Sequence, residues 1–381
     1  MAAIPEGSVP ILPPTQTPVY CADVPLRGPD FGKWSDVPQL LRLVGTGEVL
    51  NFGLRLRPFG GHGAFKGVHV IARMGAPTCQ DGRIIVSAGS DPEYDYAIRL
   101  GALAAGDFDH RHLSLAVLSK LDFSRLAPCD LDLTLVSPIG VGASLGTSAA
   151  VSVGILRAFL GAGHPAAEIA RMAIDAESRL AGRNTGNQDQ IASAFGSALR
   201  PSACQYITLR DLYDFEVQQP RLGPRIRSLF TTAVAVYIGY HDSSNIHREL
   251  IEELSSDEDT ARRKILAIRE CAGMAERSLL NDDPRAYREA CDRLLTAQRD
   301  LSPRLVNDVA LQLMETASAC TRGGESAAFC VPGAGGQGGT LILHLPNQET
   351  VQGFAKQFST TSDFSGCRLF EICLANDPPT A

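Results

Sequence analysis

Residues 137–161, reading SPIGVGASLGTSAAVSVGILRAFLG, constrain this chain more than any other stretch. The apolar run 131–136 reads as a strand entering it. Gly140, Gly142 and Gly146 then open a turn, and Ser144, Thr147 and Ser148 set hydroxyls along it. An apolar helix is expected over 148–160. Glycine lets a backbone approach a bulky group closely, because no Cβ intervenes. The first turn of a helix leaves N–H groups without partners and carries partial positive charge. A glycine loop feeding a helix is therefore an anion cradle, and phosphate is its usual occupant. The two hydroxyls at its exit suit a phosphate oxygen or a magnesium ion. A plain structural connection is the other reading of such a turn. No lysine follows the last glycine, so this is not a Walker A loop. The GxGxxxG spacing, with no acidic residue about 20 positions on, also departs from the dinucleotide fingerprint.

The rest of the chain limits what surrounds that loop. Its 381 residues suffice for two ordinary domains. A 44% hydrophobic and 20% charged composition is that of a soluble globular protein. The net charge of -7 argues against a nucleic-acid surface. No apolar run approaches the ~20 residues of a membrane span. The N-terminus lacks the basic start and apolar core of a secretory signal. The ten cysteines include no CxxC pair and no zinc spacing, so reduced thiols in a cytoplasmic protein are expected. Residues 1–30 hold seven of the 23 prolines and read as a flexible tail.

Taken in order, strands are expected over 49–56, 68–72 and 83–88, with helical pieces over 34–44, 91–106 and 111–121. The basic, glycine-rich run 55–67, RLRPFGGHGAFKG, is either a tight hairpin connection or a substrate loop with Arg55 or Arg57 aimed at phosphate. A helix from Pro165 should stop at Gly182. Another over 188–195 carries Asp189 in its first turn, where the helix dipole favours a carboxylate. After a break near 219–224, a strand is expected over 229–240, helices over 245–277, 284–299 and 303–322, and then strand, strand, helix, strand to 373. The run PGAGGQGG, 332–339, holds more glycines than a hairpin needs. A backbone approaching a ligand, or approaching the first glycine loop, accounts for them better.

Three of these segments resemble one family, the GHMP kinases, and within it the sugar 1-kinases that act on heptose phosphates and fucose. SLGTSAA (144–150) resembles the family's second motif, GNQDQIASAFG (186–196) its catalytic-aspartate segment, and PGAGGQGG its third motif. The resemblance spans roughly 49–375. It implies an α+β fold of two domains, a ribosomal-S5-domain-2-like domain over 31–222 and a ferredoxin-like domain over 223–381, with nucleotide in the cleft between them. It implies a magnesium-dependent kinase that transfers the γ-phosphate of ATP to a hydroxyl, the anomeric one, of a sugar or sugar phosphate. By the same resemblance Asp189 is the base and Arg55 lies near the transferring phosphate. Ser148 and Glu177 bind magnesium, while Gly140, Gly142, Ser144, Gly146, Thr147, Ser148, Gly333, Gly335 and Gly336 hold the nucleotide. Gly61, His62, Gly186, Gln188 and Ser243 face the acceptor, and a homodimer is an admissible assembly. The chain departs from the pattern in two places. Ala64 stands where the first motif has its sugar-gripping aspartate, and two extra residues lie between Pro138 and Leu145. Those departures leave a non-catalytic or weakly catalytic nucleotide-binding protein as the alternative.

Overall fold

The structure, a computed structural model, describes residues 19–89, 95–123, 128–140, 142–183, 185–199, 201–321 and 326–375. Its first half runs β1 (Val19–Val24), β2 (Leu26–Phe31), α1 (Pro38–Val44), β3 (Gly47–Pro58), β4 (Val68–Gly75), β5 (Arg83–Ser87), β6 (Tyr96–Arg99), α2 (Leu100–Ala105), α3 (Leu113–Leu118), β7 (Asp130–Val136), α4 (Thr147–Leu160), α5 (Ala166–Ile174), α6 (Gln188–Gly196), β8 (Cys204–Leu209) and β9 (Phe215–Gln218). The second half adds α7 (Pro224–Thr231), β10 (Ala233–Gly239), α8 (Ser243–Leu254), α9 (Glu258–Leu280), α10 (Pro284–Leu301), α11 (Asp308–Ala319), β11 (Ala328–Cys330), β12 (Gly339–His344), α12 (Gln348–Thr360) and β13 (Arg368–Leu374).

Two sheets organise these elements. The smaller has the order β1-β4-β7-β5-β6. The larger runs β11-β12-β10-β13-β3-β8-β9, with β2 paired to β3. Twelve residues long, β3 serves three partners: β8 along Gly47–Phe52, β2 near Leu50–Leu54, and β13 along Leu54–Pro58. Strands from both halves of the chain therefore share one sheet. The small sheet is covered by α4, whose Gly154 lies so close to β4 that a Cβ would crowd Val70 at 2.5 Å. That close packing sets the N-terminus of α4, and with it the glycine loop, at the end of β7.

Several expectations change. Residues 19–30 are not part of a tail: β1 pairs with β4, and every residue of β2 is buried. Five of the seven prolines fall before residue 19, outside the described residues. The helix expected over 91–106 is, in its described part, β6 followed by α2, because Tyr96–Arg99 alternate and pair with β5. The strand expected over 229–240 begins at Ala233. Pro224 opens α7 ahead of it, and the Asp282 carboxylate accepts from the N–H groups of Arg225 (3.1 Å) and Ile226 (2.8 Å). The single helix over 245–277 is two, α9 restarting under the Asp257 cap, whose side chain accepts from Thr260 N. The strands β8 and β9 were not anticipated.

Candidate active site

The glycine loop and the N-termini of α4, α6 and α8 converge on one cavity of about 720 Å³. Gly146 stands at the N-cap of α4 with φ +66°, and the Arg27 side chain passes 2.8 Å from where its Cβ would be. Only glycine meets both demands without strain. Thr147 and Ser148 follow in the first helical turn. The Thr147 Oγ1 atom is buried with no hydrogen-bond partner among the described residues, as befits a donor held for a ligand.

Ser148 Oγ donates to Glu177 Oε1 at 3.1 Å. Glu177 reaches that point from a π-helical turn, Asp175–Leu180, which widens the end of α5. Asp175 pins the turn by pairing with Lys120 and with Arg179 (2.6 Å) and by accepting from the Tyr213 hydroxyl (3.1 Å). Glu177 itself is 2% exposed. Gln190 Nε2 donates to its other oxygen at 2.6 Å, and Arg183 lies 3.6 Å away. Burial pushes its carboxyl up from the ordinary glutamate range.

Asp189 stands in the first turn of α6 and is gripped by Arg27. The guanidinium Nε lies 2.5 Å from Asp189 Oδ1, and Nη2 donates to Oδ2 at 2.8 Å. This charge-assisted bond and the close ion pair hold the carboxylate against the guanidinium. Close by, Asp36 is buried and accepts from the Gln188 backbone N–H at 3.2 Å. A Cβ on Gly186 would overlap the Asp36 carboxylate, so that glycine is required by packing. Burial pushes Asp36 up to about 7.

The five glycines of the third motif make room for the first loop and its neighbours. Gly333 abuts the Ser144 backbone, and a Cβ on Gly339 would overlap Ser144 Oγ. Thr340 Oγ1 donates to Ala143 O at 2.6 Å. From the end of β10, His241 Nδ1 donates to Gly142 O at 2.6 Å, and the Ser144 hydroxyl reaches Nε2 at 3.1 Å. The central loop is thus stitched through Gly142, Ala143 and Ser144 to His241 and to β12 of the large sheet. Gly339 also has φ +84°. Replacing Gly339 by alanine is expected to cost about 1–3 kcal/mol of stability, seen as a lower urea midpoint, because it adds a steric overlap to backbone strain.

The cavity brings together most of the expected site residues: Asp189, Glu177, Gly140, Gly142, Ser144, Gly146, Thr147, Ser148, Gly186, Gln188, Ser243 and Gly333. Others stand elsewhere. Arg55 is not at the cavity; from β3 of the large sheet it pairs with Asp23 in β1 of the small sheet. Gly61 and His62 lie in the turn beyond β3, away from the cavity walls. Gly335 packs on Leu305 O, and Gly336 packs on Ile246 while its N–H donates to Leu305 O. The residues that sequence reasoning missed lie in LRGPDFGKWSDVP, 26–38, where Arg27, Lys33, Trp34 and Asp36 all line the cavity. Four charges interleaved with Phe31 and Trp34 were the available signal, and the high proline count of the preceding residues obscured it. Tyr96 and His112, whose ring centroids are 4.5 Å apart, wall the opposite end.

A glycine loop at a helix N-terminus and an arginine-paired carboxylate thus line one cavity, an arrangement that suits group transfer. Residues 112–197 match the family model of the GHMP kinases N terminal domain, a segment that includes the glycine loop, Glu177 and Asp189. Over that segment the chain matches the family model, and the fold of the whole chain is the two-domain α+β fold of the solved GHMP kinases. Similar solved structures include the D-glycero-D-manno-heptose 1-phosphate kinase from Bacteriodes thetaiotaomicron, at 18% identity and TM-score 0.61, covering 93% of this chain and 96% of that one. The Lactococcus lactis galactokinase complexed with galactose is 14% identical, with TM-score 0.64 and 94% of each chain covered. The Methanococcus jannaschii mevalonate kinase is 12% identical, with TM-score 0.61, covering 95% of this chain and 99% of that one. At these identities the likeness establishes the fold. A search of curated proteins finds no match.

Proposed function

We propose that this chain is an ATP-dependent kinase that phosphorylates a hydroxyl, the anomeric one, of a sugar or sugar phosphate. The observation that carries the reading is the Arg27-clamped Asp189 opposite the glycine loop, within one cavity. In the proposed reaction the acceptor hydroxyl oxygen attacks the γ-phosphorus, its proton passes to Asp189, and ADP leaves. Phosphoryl transfer asks a protein mainly for positioning and charge neutralisation. Backbone N–H groups around Gly142–Ser148 hold the phosphates. Arg27, rather than Arg55, supplies the cation beside the transferring group.

The donors present fit magnesium. Ser148 Oγ and Glu177 are neighbours, and Thr147 offers an uncommitted hydroxyl. Among the described residues no group of three or more His, Cys, Asp or Glu forms a metal cage. Magnesium suits such a site, since it keeps few protein ligands and takes the rest from water and phosphate. Bound there, it would neutralise charge on the β- and γ-phosphates.

Asp36 takes the acceptor-gripping role left open by Ala64, so the departure that motivated a non-catalytic reading loses its force. A buried carboxylate is a strong acceptor for sugar hydroxyls, and the likeness to a heptose 1-phosphate kinase and a galactokinase supports that class. Asp36→Asn is expected to raise the acceptor KM by about 10²-fold or more, since a site built to bind hydroxyls suffers when a charged acceptor is lost. The same change should stabilise the free protein in a pH-dependent way. The folded pKa of Asp36 is raised, so wild-type stability is fully present below the unfolded value near 3.8 and is lost as pH climbs towards about 7. Melting curves should therefore show Asp36→Asn above wild type at pH 8 and level with it at pH 4.

The test is ADP release from ATP and magnesium over a panel of sugars, sugar 6- and 7-phosphates and mevalonate, with Asp189→Asn as the blank. Turnover with one sugar, and its phosphorylated position by NMR, supports the reading. Turnover with mevalonate alone replaces the acceptor class. Silence across the panel with ATP bound overturns the sugar assignment.

A further inference from the structure

Buried beneath the site is a second set of charges that the proposed chemistry does not use. Asp30 is 1% exposed and Lys33 is 1% exposed. Asp30 Oδ2 accepts from Arg27 Nη1 at 2.6 Å and from the Gly333 backbone N–H at 2.8 Å. Lys33 Nζ donates to the carbonyl of Val331, two residues before Gly333. The guanidinium of Arg27 is therefore held from behind by Asp30 while its Nη2 donates to Asp189 and its Nε lies beside the same carboxylate.

We infer that Asp30 is a positioning residue: it sets the guanidinium of Arg27, and through it the carboxylate of Asp189, in register with the third glycine motif. This rests on the reading of Asp189 as the base. The geometry supports it in three ways. Arg27 has five N–H donors in a rigid plane, so fixing one edge on Asp30 dictates where the other edge points. Gly333 shares the Asp30 oxygen and also abuts Ser144, so one carboxylate ties the clamp to the loop that faces the phosphates. Asp30 also answers the charge of two buried cations, with Lys33 carrying the excess. Burial presses Lys33 down to about 8, and the charge of Asp30 opposes that shift. A buried charge network of Arg27, Lys33 and Asp30, shared with Asp189, is costly to keep for the fold alone, since apolar side chains of similar size stabilise at least as well. A catalytic clamp supplies the reason to keep it.

The experiment separates positioning from fold. Asp30→Leu combined with Lys33→Met removes one charge of each sign and leaves apolar volume behind. Three quantities are measured on the full chain: turnover with the acceptor found in the panel, the KM for ATP, and the exchange rate of the Arg27 Nε–H by ¹⁵N NMR. The double variant is expected to keep its KM for ATP and to melt lower than wild type, because Arg27 loses one of its two carboxylates and the Gly333 N–H loses its acceptor. Its kcat should drop about 10²-fold, the effect of a displaced reacting group, and the Arg27 Nε–H should exchange faster. A double variant with wild-type kcat, or with unchanged Arg27 exchange, overturns the inference. Should it fail to fold, Asp30→Asn serves instead, because it keeps volume and an acceptor oxygen while removing the charge. A smaller fall in kcat with faster Arg27 exchange is then expected, and no change in either overturns the proposal. If the wild type turns over no acceptor, the functional reading fails by itself, and Arg27 exchange alone decides whether Asp30 holds the clamp.

Discussion

Asp189→Asn is expected to abolish most phosphoryl transfer while leaving the fold and ATP binding intact. The amide still offers Arg27 an acceptor oxygen, so the clamp of α6 on β2 survives in outline. What disappears is a group able to take a proton from the attacking hydroxyl. Loss of a general base typically costs 10²–10⁴-fold, so a fall in kcat of at least ~100-fold is expected. Isothermal titration with a non-hydrolysable ATP analogue should give an affinity near that of wild type. In the proposed reading the glycine loop and α4 hold the phosphates, and neither depends on the charge of Asp189. Near-normal turnover in this variant would remove Asp189 from the mechanism.

Arg27→Met should act on stability as strongly as on activity. Arg27 is 4% exposed and sits between Asp30, which is 1% exposed, and Asp189. Methionine fills comparable space but leaves two carboxylates facing each other, one of them buried without its principal counter-ion. Breaking a buried pair from one side costs about 3–5 kcal/mol. Burial already raises the Asp30 carboxyl above the ordinary aspartate range, and Arg27 pulls against that rise. Without Arg27 the folded-state carboxyl rises further. Its contribution to stability is then present only at low pH and is lost as pH climbs through the raised value. Urea melts should show the variant approaching wild type in acid and falling furthest behind it above neutrality. A uniform loss at every pH would place the role of Arg27 in packing. Arg27→Lys should rescue charge but not geometry, because a single ammonium cannot span Asp30 and Asp189 together.

How far the site was legible in the sequence depended on what kind of signal each part left. The glycine loop, the Asp189 turn and the third glycine run announce themselves because backbone freedom and helix starts demand particular residue types locally. Their coming together is a fact of the sheets, not of the segments. The π-helical turn that carries Glu177 leaves no local mark, since its register is set by Lys120 and Tyr213 from elsewhere in the chain. Arg55 and Arg27 show the limit well. Both are arginines in charged, glycine-containing runs, and Arg55 lies in the more obvious strand. Which one reaches the cavity is decided by pairing: β2 lies beside β3 at its middle and ends at the mouth of the cleft, whereas Arg55 sits opposite Cys373 in the sheet interior. The division near residue 222 marks a change of composition and a proline-led helix, yet the large sheet runs across it.

That shared sheet has a consequence for how the protein is made. β3 emerges early in synthesis, but one of its neighbours, β13, comes near the far end of the chain, with Leu54 meeting Leu374. Between those moments the nascent polypeptide carries an apolar strand whose second half, Leu54–Pro58, lacks its β13 partner. Pairings of such long sequence separation are slow to form, because loop closure is unfavourable until the last contacts reward it. A ribosome-bound fragment ending before Arg368 should therefore remain sensitive to protease and attractive to chaperones. Two fragments divided near residue 222, each soluble poorly alone, should recover structure only when expressed together.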